Sequence, residues 1–289
     1  MQNLQDSSIL TQTWTKVIES NQPLTQLRIG ELWLYRHLIK IFVRRDFVAA
    51  YKQTILGPFW MIFPPLISTV VFTVIFGRIA QLSTDGTPHT LFYMAGILMW
   101  GYFNACITSG ANVFISQSGL FSKIYFPRLT VPIANTLSTI ISSSFQLSIF
   151  ACFVAYFYFN DMISGPNWAM VLVPLLFAMM SMLALGVGSL FSALTVKYRD
   201  LNFLLAFGIQ LWMYATTVIY PLSAIPEKYQ FVALLNPMVS IIEVFRYAMI
   251  GAGSFPVYGL LYAAVASAVS LFIGIIVFNF VERTAMDLV

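Results

Sequence analysis

The sequence predicts an all-α integral membrane protein. Apolar residues make up 59% of its 289 residues and charged residues only 9%, against roughly 45–50% and about 25% in a soluble globular domain. Several long segments contain no Asp, Glu, Lys or Arg. So few charges cannot cover a surface in water, whereas long uncharged segments suit the hydrocarbon core of a bilayer.

Six of the uncharged segments are long enough to cross a membrane. A helix rises 1.5 Å per residue, so about 20 apolar residues are needed to span roughly 30 Å of hydrocarbon. A transmembrane β-barrel would instead show alternating segments of about 10 residues. We therefore predict six transmembrane helices. They cover residues 55–77, 90–112, 131–159, 168–195, 203–221 and 257–280.

The basic residues predict the orientation of these spans. Six spans place both termini on one side, and that side carries all but three of the 15 Lys and Arg residues. The three exceptions are Arg78, Lys228 and Arg246. Because cytoplasmic loops are enriched in Lys and Arg, we expect both termini in the cytoplasm. The first 30 residues show no cleavable signal peptide.

The segment 31–52, ahead of the first span, is predicted to form an amphipathic helix. Arg36, Lys40 and Arg44 recur every four residues and Arg45 follows them, which makes one helical face basic. Such a helix would lie in the cytoplasmic interface, with its cations among anionic headgroups. Two of its aromatic residues, Trp33 and Phe42, would then lie at the acyl boundary. The alternative is a basic flank that only orients the first span.

Between the fifth and sixth spans, residues 220–256 contain apolar pieces too short to cross and several prolines. Broken helices at membrane depth persist only where protein or a water-filled cavity satisfies their backbone. We predict two short re-entrant helices here, the second beginning at Asn236 as cap and Pro237 in the first turn. Glu243 and Arg246 are three residues apart, so one helical face can pair them. These four residues form the predicted outer gate; the alternative is an interfacial loop.

Four motifs of the sequence are typical of one protein family. They are RRDFVAAYKQTILGPFWMIFPPL (44–66), FSKIYFPRLTVP (121–132), KYRDLNF (197–203) and LNPMVSIIEVFRYAMIG (235–251). These motifs resemble those of the membrane subunits of type-2 ABC exporters, in the branch that exports O-antigen, capsule and teichoic-acid polysaccharides. They occur in the family's order, and the likeness covers about residue 28 to the end.

The resemblance implies a channel-forming subunit that moves a lipid-linked polysaccharide out of a bacterial cytoplasm across the inner or plasma membrane. No G-x-x-x-x-G-K-[ST] phosphate-binding loop occurs in the sequence, so a separate ABC ATPase would bind ATP and magnesium. The predicted spans lack the ionisable groups that ion-coupled transporters use. The expected assembly is a homodimer with two ATPase copies, in contact with membrane lipids and not with nucleic acid. The expected domains are a cytoplasmic segment (1–30), the amphipathic helix (31–52) and a six-helix transmembrane domain (53–289).

The basic segment after the second span is the predicted contact with the ATPase. We expect residues 113–130 to form a short helix and turn that fits a cleft of the ATPase. Aromatic rings would anchor it there, since such rings are favoured at interface centres, and a fixed proline would pass the motion to the third span. The predicted coupling residues are Lys123, Tyr125, Phe126, Pro127 and Arg128, with a smaller contact at Lys197, Arg199 and Asp200.

Aromatic residues make up 16% of the chain, and flat rings suit the apolar faces of sugars. Rings near helix ends also form the interfacial belt of ordinary membrane proteins, so both interpretations stay open. Three alternative functions also remain: a type-2 exporter of drugs or lipids, an integral membrane glycosyl- or acyltransferase, and a channel. The candidate channel rings are Phe59, Trp60, Trp100, Tyr102, Tyr214 and Tyr220.

Overall fold

The computed structural model describes residues 29–52, 54–55, 57–117, 119, 126–198 and 200–284. Its regular elements in these ranges are all helical, which confirms the predicted fold class. The α-helices, numbered in chain order, are α1 (Ile29–Leu34), α2 (Arg36–Tyr51), α3 (Phe63–Phe72), α4 (His89–Ala111), α5 (Val113–Ser116), α6 (Thr130–Phe159), α7 (Val173–Lys197), α8 (Leu201–Tyr214), α9 (Glu227–Leu234), α10 (Pro237–Ile250) and α11 (Val257–Thr284). Single 3₁₀ turns precede α3 (Gly57–Met61) and α7 (Trp168–Leu172), and a π-helix (Thr73–Ile79) continues α3.

In the part of the chain that the structure describes, five continuous helical segments are long and apolar enough to cross a membrane. They are Phe59–Ile79, His89–Ala111, Thr130–Phe159, Trp168–Thr195 and Val257–Val281. The predicted fifth span, 203–221, is not among them, because the helix at this place, α8, has only 14 residues. At 1.5 Å per residue such a helix is about 21 Å long, well short of the roughly 30 Å hydrocarbon core.

The two ends of the bundle are identified by contacts between helix termini. At one end, Thr195 Oγ1 donates a hydrogen bond to the carbonyl oxygen of Ala111 (3.0 Å). At the other, the backbone N–H of Asn167 donates to the carbonyl oxygen of Ala248 (3.1 Å). We call the first the basic end, because α2 packs there, and the second the re-entrant end, because α9 and α10 lie there.

These contacts show how the chain returns after α7. The helix α7 ends at the basic end, whereas α11 begins at the re-entrant end and runs in the same direction as α7, with Ser270 Oγ donating to the carbonyl oxygen of Leu183 (3.4 Å). Residues 198–256 must therefore carry the chain back across the bundle. Within the described residues this return makes a sixth crossing of the bundle, and this crossing, the fifth in chain order, consists of α8 and a non-helical segment, 215–221.

Glycines let the crossing helices approach closely. A Cβ on Gly110 of α4 would lie 3.4 Å from the Cα of Gly188 in α7, and a Cβ on Gly274 of α11 would lie 2.6 Å from the Cα of Gly186. Small residues at helix contacts are the usual way to pack helices in lipid, where van der Waals contact replaces the hydrophobic effect. The central helices of the bundle are thereby held in fixed register.

The N-terminal helix α2 packs on the bundle at the basic end. Phe42 is buried, and its ring meets that of Phe126 edge to face at 5.7 Å. Phe114 and Phe278 stack at 4.8 Å in the same apolar cluster. The expectation that Phe42 lies at the acyl boundary is therefore wrong, because this ring fills a gap inside the protein; Trp33 is exposed, as expected.

Candidate functional site

Two short helices lie where the re-entrant pair is predicted. α9 and α10 meet at an angle of 103°. The Asn236 side chain accepts a hydrogen bond from the backbone N–H of Met238 (3.2 Å), and Pro237 occupies the first turn. The predicted cap is thus confirmed, and α10 ends at Gly251, whose φ of +79° suits glycine.

Asn236 also binds the end of α8. Its side-chain Oδ1 accepts from Trp212 Nε1 (3.1 Å), while its Nδ2 donates to Thr216 Oγ1 (2.8 Å) and to the carbonyl oxygen of Ala215 (3.3 Å). A residue that caps one helix therefore also satisfies the backbone where another helix stops. The bend between α9 and α10 is tied to the break in the fifth crossing.

Glu243 and Arg246 form a buried ion pair on α10. Arg246 Nη1 lies 3.4 Å from Glu243 Oε1, and the two side chains are 2% and 1% exposed. Arg246 Nη2 donates to the carbonyl oxygen of Val218 (2.9 Å), and Glu243 Oε1 accepts from the backbone N–H of Leu222 (3.3 Å). The pair therefore binds one backbone carbonyl in the non-helical part of the fifth crossing and the backbone amide of the residue that follows this part.

The guanidinium of Arg246 is enclosed by α4. It lies over the ring of Phe92, 3.6 Å from the ring centroid, a contact that favours a desolvated cation. A Cβ on Gly96 would lie 2.9 Å from both Arg246 Nη2 and the carbonyl oxygen of Val218. Only glycine at this position leaves room for the arginine and the non-helical segment together.

A second carboxylate, that of Asp85, lies beside the ion pair. Asp85, Glu243 and Arg246 line one small cavity of about 10 Å³, which is room for one water molecule at most. The Ser223 hydroxyl donates to Asp85 Oδ1, so the loop between α3 and α4 is joined to the loop after the fifth crossing. Two carboxylates and one guanidinium give this cluster an excess negative charge.

The predicted coupling residues lie in different environments. Phe126 is 4% exposed and packs on Phe42, so the expectation that it anchors in a cleft of another protein is wrong. Pro127 and Arg128 are half-buried, and Asp200 is exposed immediately before α8. Lys123, Tyr125 and Arg199 lie outside the described residues, as does the side chain of Lys197.

The basic face of α2 is open to its surroundings. Arg36, Lys40 and Arg44 are exposed along the helix. Arg45 pairs with Asp46 (2.8 Å between Arg45 Nη2 and Asp46 Oδ1) and lies over the ring of Phe42 at 4.8 Å. All four predicted interfacial cations are therefore exposed, and two of them, Arg36 and Arg45, also contact neighbouring side chains of the same segment.

The candidate channel rings divide into two groups. Phe59, Trp60 and Tyr214 are exposed, and the Tyr220 hydroxyl donates to the carbonyl oxygen of Tyr214 (2.9 Å). Trp100 and Tyr102 are 6% and 1% exposed, so they do not line an open surface of this subunit. Trp100 packs on Trp212 at 6.3 Å, and the Tyr102 hydroxyl bonds to that of Ser181. Both rings form part of the packing between helices.

Comparison with known proteins identifies the family. The profile described as ABC-2 type transporter matches residues 37–250. The chain belongs to the ABC-2 type transporter family. The matched region contains all of α2 except its first residue, the basic segment and the re-entrant pair. With its several apolar helices, this ABC-2 transporter chain is a multi-pass protein of a bacterial inner membrane.

Several curated proteins are similar to the chain over most of its length. An O-antigen export system permease protein from Myxococcus xanthus is 27% identical over 75% of this chain and 82% of its own. A Klebsiella pneumoniae protein of the same name is 25% identical over 84% and 91%. The polysialic acid transport protein KpsM of Escherichia coli is 22% identical over 84% and 92%.

Sequence reasoning missed several partners of the predicted gate residues. Gly96, Phe92 and Asp85 surround Arg246 but come from a span and a loop more than 140 residues earlier in the chain. Nothing in their local pattern marks them, since a glycine and a phenylalanine are ordinary in an apolar helix. Asp85 was the one available signal, because it is an acid in an otherwise uncharged stretch at a span end.

Proposed function

We propose that the chain is the transmembrane subunit of an ATP-driven exporter of a lipid-linked polysaccharide. The observation that carries the proposal is the set of relatives, which are matched over four fifths or more of their own length and are named for O-antigen export and polysialic acid transport. A type-2 exporter of drugs or lipids would share the family and the helices. No contact in the described residues favours that alternative.

In this proposal the basic end faces the cytoplasm. The exposed cations of α2 would contact anionic headgroups and hold the helix against the inner leaflet. The re-entrant pair then lies in the outer half of the membrane. Polymer would pass from the basic end to the re-entrant end, which is the direction of export.

Energy would come from a separate ABC ATPase that binds ATP and magnesium. We expect two copies of this subunit to form a homodimer with two ATPase copies, since closed two-fold assemblies are the commonest. Arg128 and Asp200, with Lys123, Tyr125, Lys197 and Arg199, would make the contact. Because Phe126 is buried against Phe42, motion of the contact segment would reach α2 as well as α6.

The re-entrant pair would act as the outer gate. Glu243, Arg246 and Asn236 hold the non-helical part of the fifth crossing to α10 by directed bonds. Motion of α10 would therefore move residues 215–222 with it. Such a joint lets a short helix pair change the width of the exit without leaving backbone groups unpaired in the membrane.

Complementation in the bacterium that carries the chain tests the proposal. Deleting its gene should abolish surface polysaccharide and leave the polymer inside the cell, and the wild-type gene should restore it. Surface carbohydrate oxidisable by periodate measures the first quantity, and the same assay after lysis measures the second. Normal surface polysaccharide in the deletion strain, with increased sensitivity to toxic compounds, would support the drug-exporter alternative instead.

A further inference from the structure

The span α4 has two unlike faces. It is the most enclosed of the spans, with 72% of its apolar window buried, and its large rings point inward. One stripe of the same helix is nevertheless exposed: Gly101, Asn104, Ala105 and Thr108. Spacings of three and four residues put all four side chains on one face of the helix. Asn112 continues this face just beyond the last turn.

The polar groups of this face are only partly satisfied within the chain. Thr108 Oγ1 donates to Asn104 Oδ1 (3.2 Å), and Asn112 Nδ2 donates to the carbonyl oxygen of Thr108 (2.9 Å). Among the described residues, no group accepts a hydrogen bond from Asn104 Nδ2. Two amide donors of Asn104 are therefore directed out of the subunit.

Lipid is a poor neighbour for these donors. Asn104 lies seven residues before the end of α4 at Ala111, about 10 Å inside the basic end at 1.5 Å per residue. An amide without a hydrogen-bond partner is strongly disfavoured in an apolar medium. The face therefore requires water or a polar ligand.

Two exposed serines of α6 do not raise this requirement. Ser144 and Ser148 are exposed on α6, but each hydroxyl donates to a carbonyl oxygen of its own helix, four residues back, at 2.8 Å. Serines bonded in this way tolerate lipid. The comparison separates a face that needs a polar neighbour from one that does not.

We infer that this polar face of α4 (Gly101, Asn104, Ala105, Thr108 and Asn112) binds the sugar hydroxyls of the polymer as it enters from the basic end. The inference rests on the proposed function. Carboxamides and a hydroxyl offer both donors and acceptors without charge, which suits a neutral polyol of varied sequence. Gly101 and Ala105 leave room beside the polar groups, since a Cβ on Gly101 would meet nothing within 4 Å.

Thiol labelling tests whether the face is wet. Asn104→Cys is introduced into the complete exporter. The two natural thiols serve as controls: Cys106 lies on the buried face of α4 and represents the protein interior, and Cys152 is exposed on α6 and represents a surface that would face lipid. A charged, impermeant methanethiosulfonate is added to membrane vesicles of both orientations. The thiol at position 104 should be modified from the cytoplasmic side and the two natural thiols should not.

A paired substitution tests whether the face contacts polymer. Asn104→Leu with Thr108→Val removes the polar groups and keeps the volume, so surface carbohydrate oxidisable by periodate should fall about fivefold or more, because the hydrogen bonds of both side chains are lost. ATP hydrolysis and copurification with the ATPase should be unchanged. The matched control, Ser144→Ala with Ser148→Ala, should export normally.

Two results would overturn the inference while leaving the proposed function intact. One is an unreactive thiol at position 104 together with normal export by the Asn104→Leu/Thr108→Val variant. The other is oxidative cross-linking of the position 104 thiols of two copies, which would make the face a contact between subunits. Failure of the wild-type gene to restore any surface polysaccharide would instead contradict the proposed function itself.

Discussion

The two ends of the bundle are held together by different kinds of contact. At the re-entrant end, a buried ion pair and a capping asparagine bind non-helical backbone through directed hydrogen bonds. At the basic end, apolar packing ties α2 to the bundle, including the ring contacts of Phe42 with Phe126 and of Phe47 with Phe145. Directed bonds have few satisfactory geometries, whereas ring packing tolerates small shifts. The comparison indicates that the hydrogen bonds at the re-entrant end must be kept when that end moves, whereas the packing of α2 at the basic end can adjust to small shifts.

The largest effect is expected from Arg246→Ala. This change leaves the Glu243 carboxylate buried and the carbonyl oxygen of Val218 without its donor, at a cost of about 3–5 kcal/mol. The thermal unfolding midpoint in detergent should fall sharply and export should fail. Arg78→Ala, which removes an exposed cation at the same end, is the control and should change neither.

A partial rescue would show that the unpaired charge causes the damage. Glu243→Gln added to Arg246→Ala removes the buried carboxylate and should recover part of the lost stability. If Arg246→Ala alone had the wild-type unfolding midpoint and exported normally, these residues would lie in a solvated loop.

Gly96→Ala should be the next most damaging change. The added methyl group would lie 2.9 Å from both Arg246 Nη2 and the carbonyl oxygen of Val218, and overpacking of this kind typically costs about 1–3 kcal/mol. Gly101→Ala on the same helix is the control, since it meets nothing within 4 Å. Equal unfolding midpoints for the two variants would show that Gly96 is not needed for the close approach.

At the basic end, the contact between Phe42 and Phe126 should be measurable as a coupling energy. Each ring is replaced by leucine, singly and together, and the four unfolding free energies are compared. Edge-to-face pairs contribute about 0.5–1.5 kcal/mol beyond their buried area, so the double variant should lose less than the sum of the two single losses. Strict additivity would mean that α2 and the basic segment do not act on each other through these rings.

Ser223→Ala should have the smallest effect on stability. It removes one partly solvated hydrogen bond to Asp85, which should cost about 0.5 kcal/mol. Because this bond joins the two loops over the ion pair, the change should show instead as faster labelling of a thiol introduced at Thr87, which is buried in the closed loop. A labelling rate equal to that of the wild-type loop would indicate that the bond does not hold the loops together.

The sequence was informative where polar residues stand in apolar surroundings. Asn236, Glu243 and Arg246 could be placed in one re-entrant helix because polar groups at membrane depth need partners. The break in the fifth crossing could not be predicted, since residues 203–221 are uncharged throughout and length alone does not show where a helix stops. Whether each aromatic ring is buried or exposed could not be predicted either. Trp100, Tyr102 and Phe126 are buried, but an aromatic residue in an apolar helix carries no local mark of the side it faces.

Amide hydrogen exchange in residues 215–222 tests most directly whether the ion pair holds the fifth crossing. In the wild-type protein the backbone N–H of Leu222 donates to Glu243, and Arg246 donates to the carbonyl oxygen of Val218 in the same segment. Amide exchange of this segment, measured by mass spectrometry, should therefore be slow. In Arg246→Ala the same peptide should exchange much faster, while peptides from α4 and α11 keep their protection. Unchanged slow exchange of residues 215–222 in the variant would contradict the account.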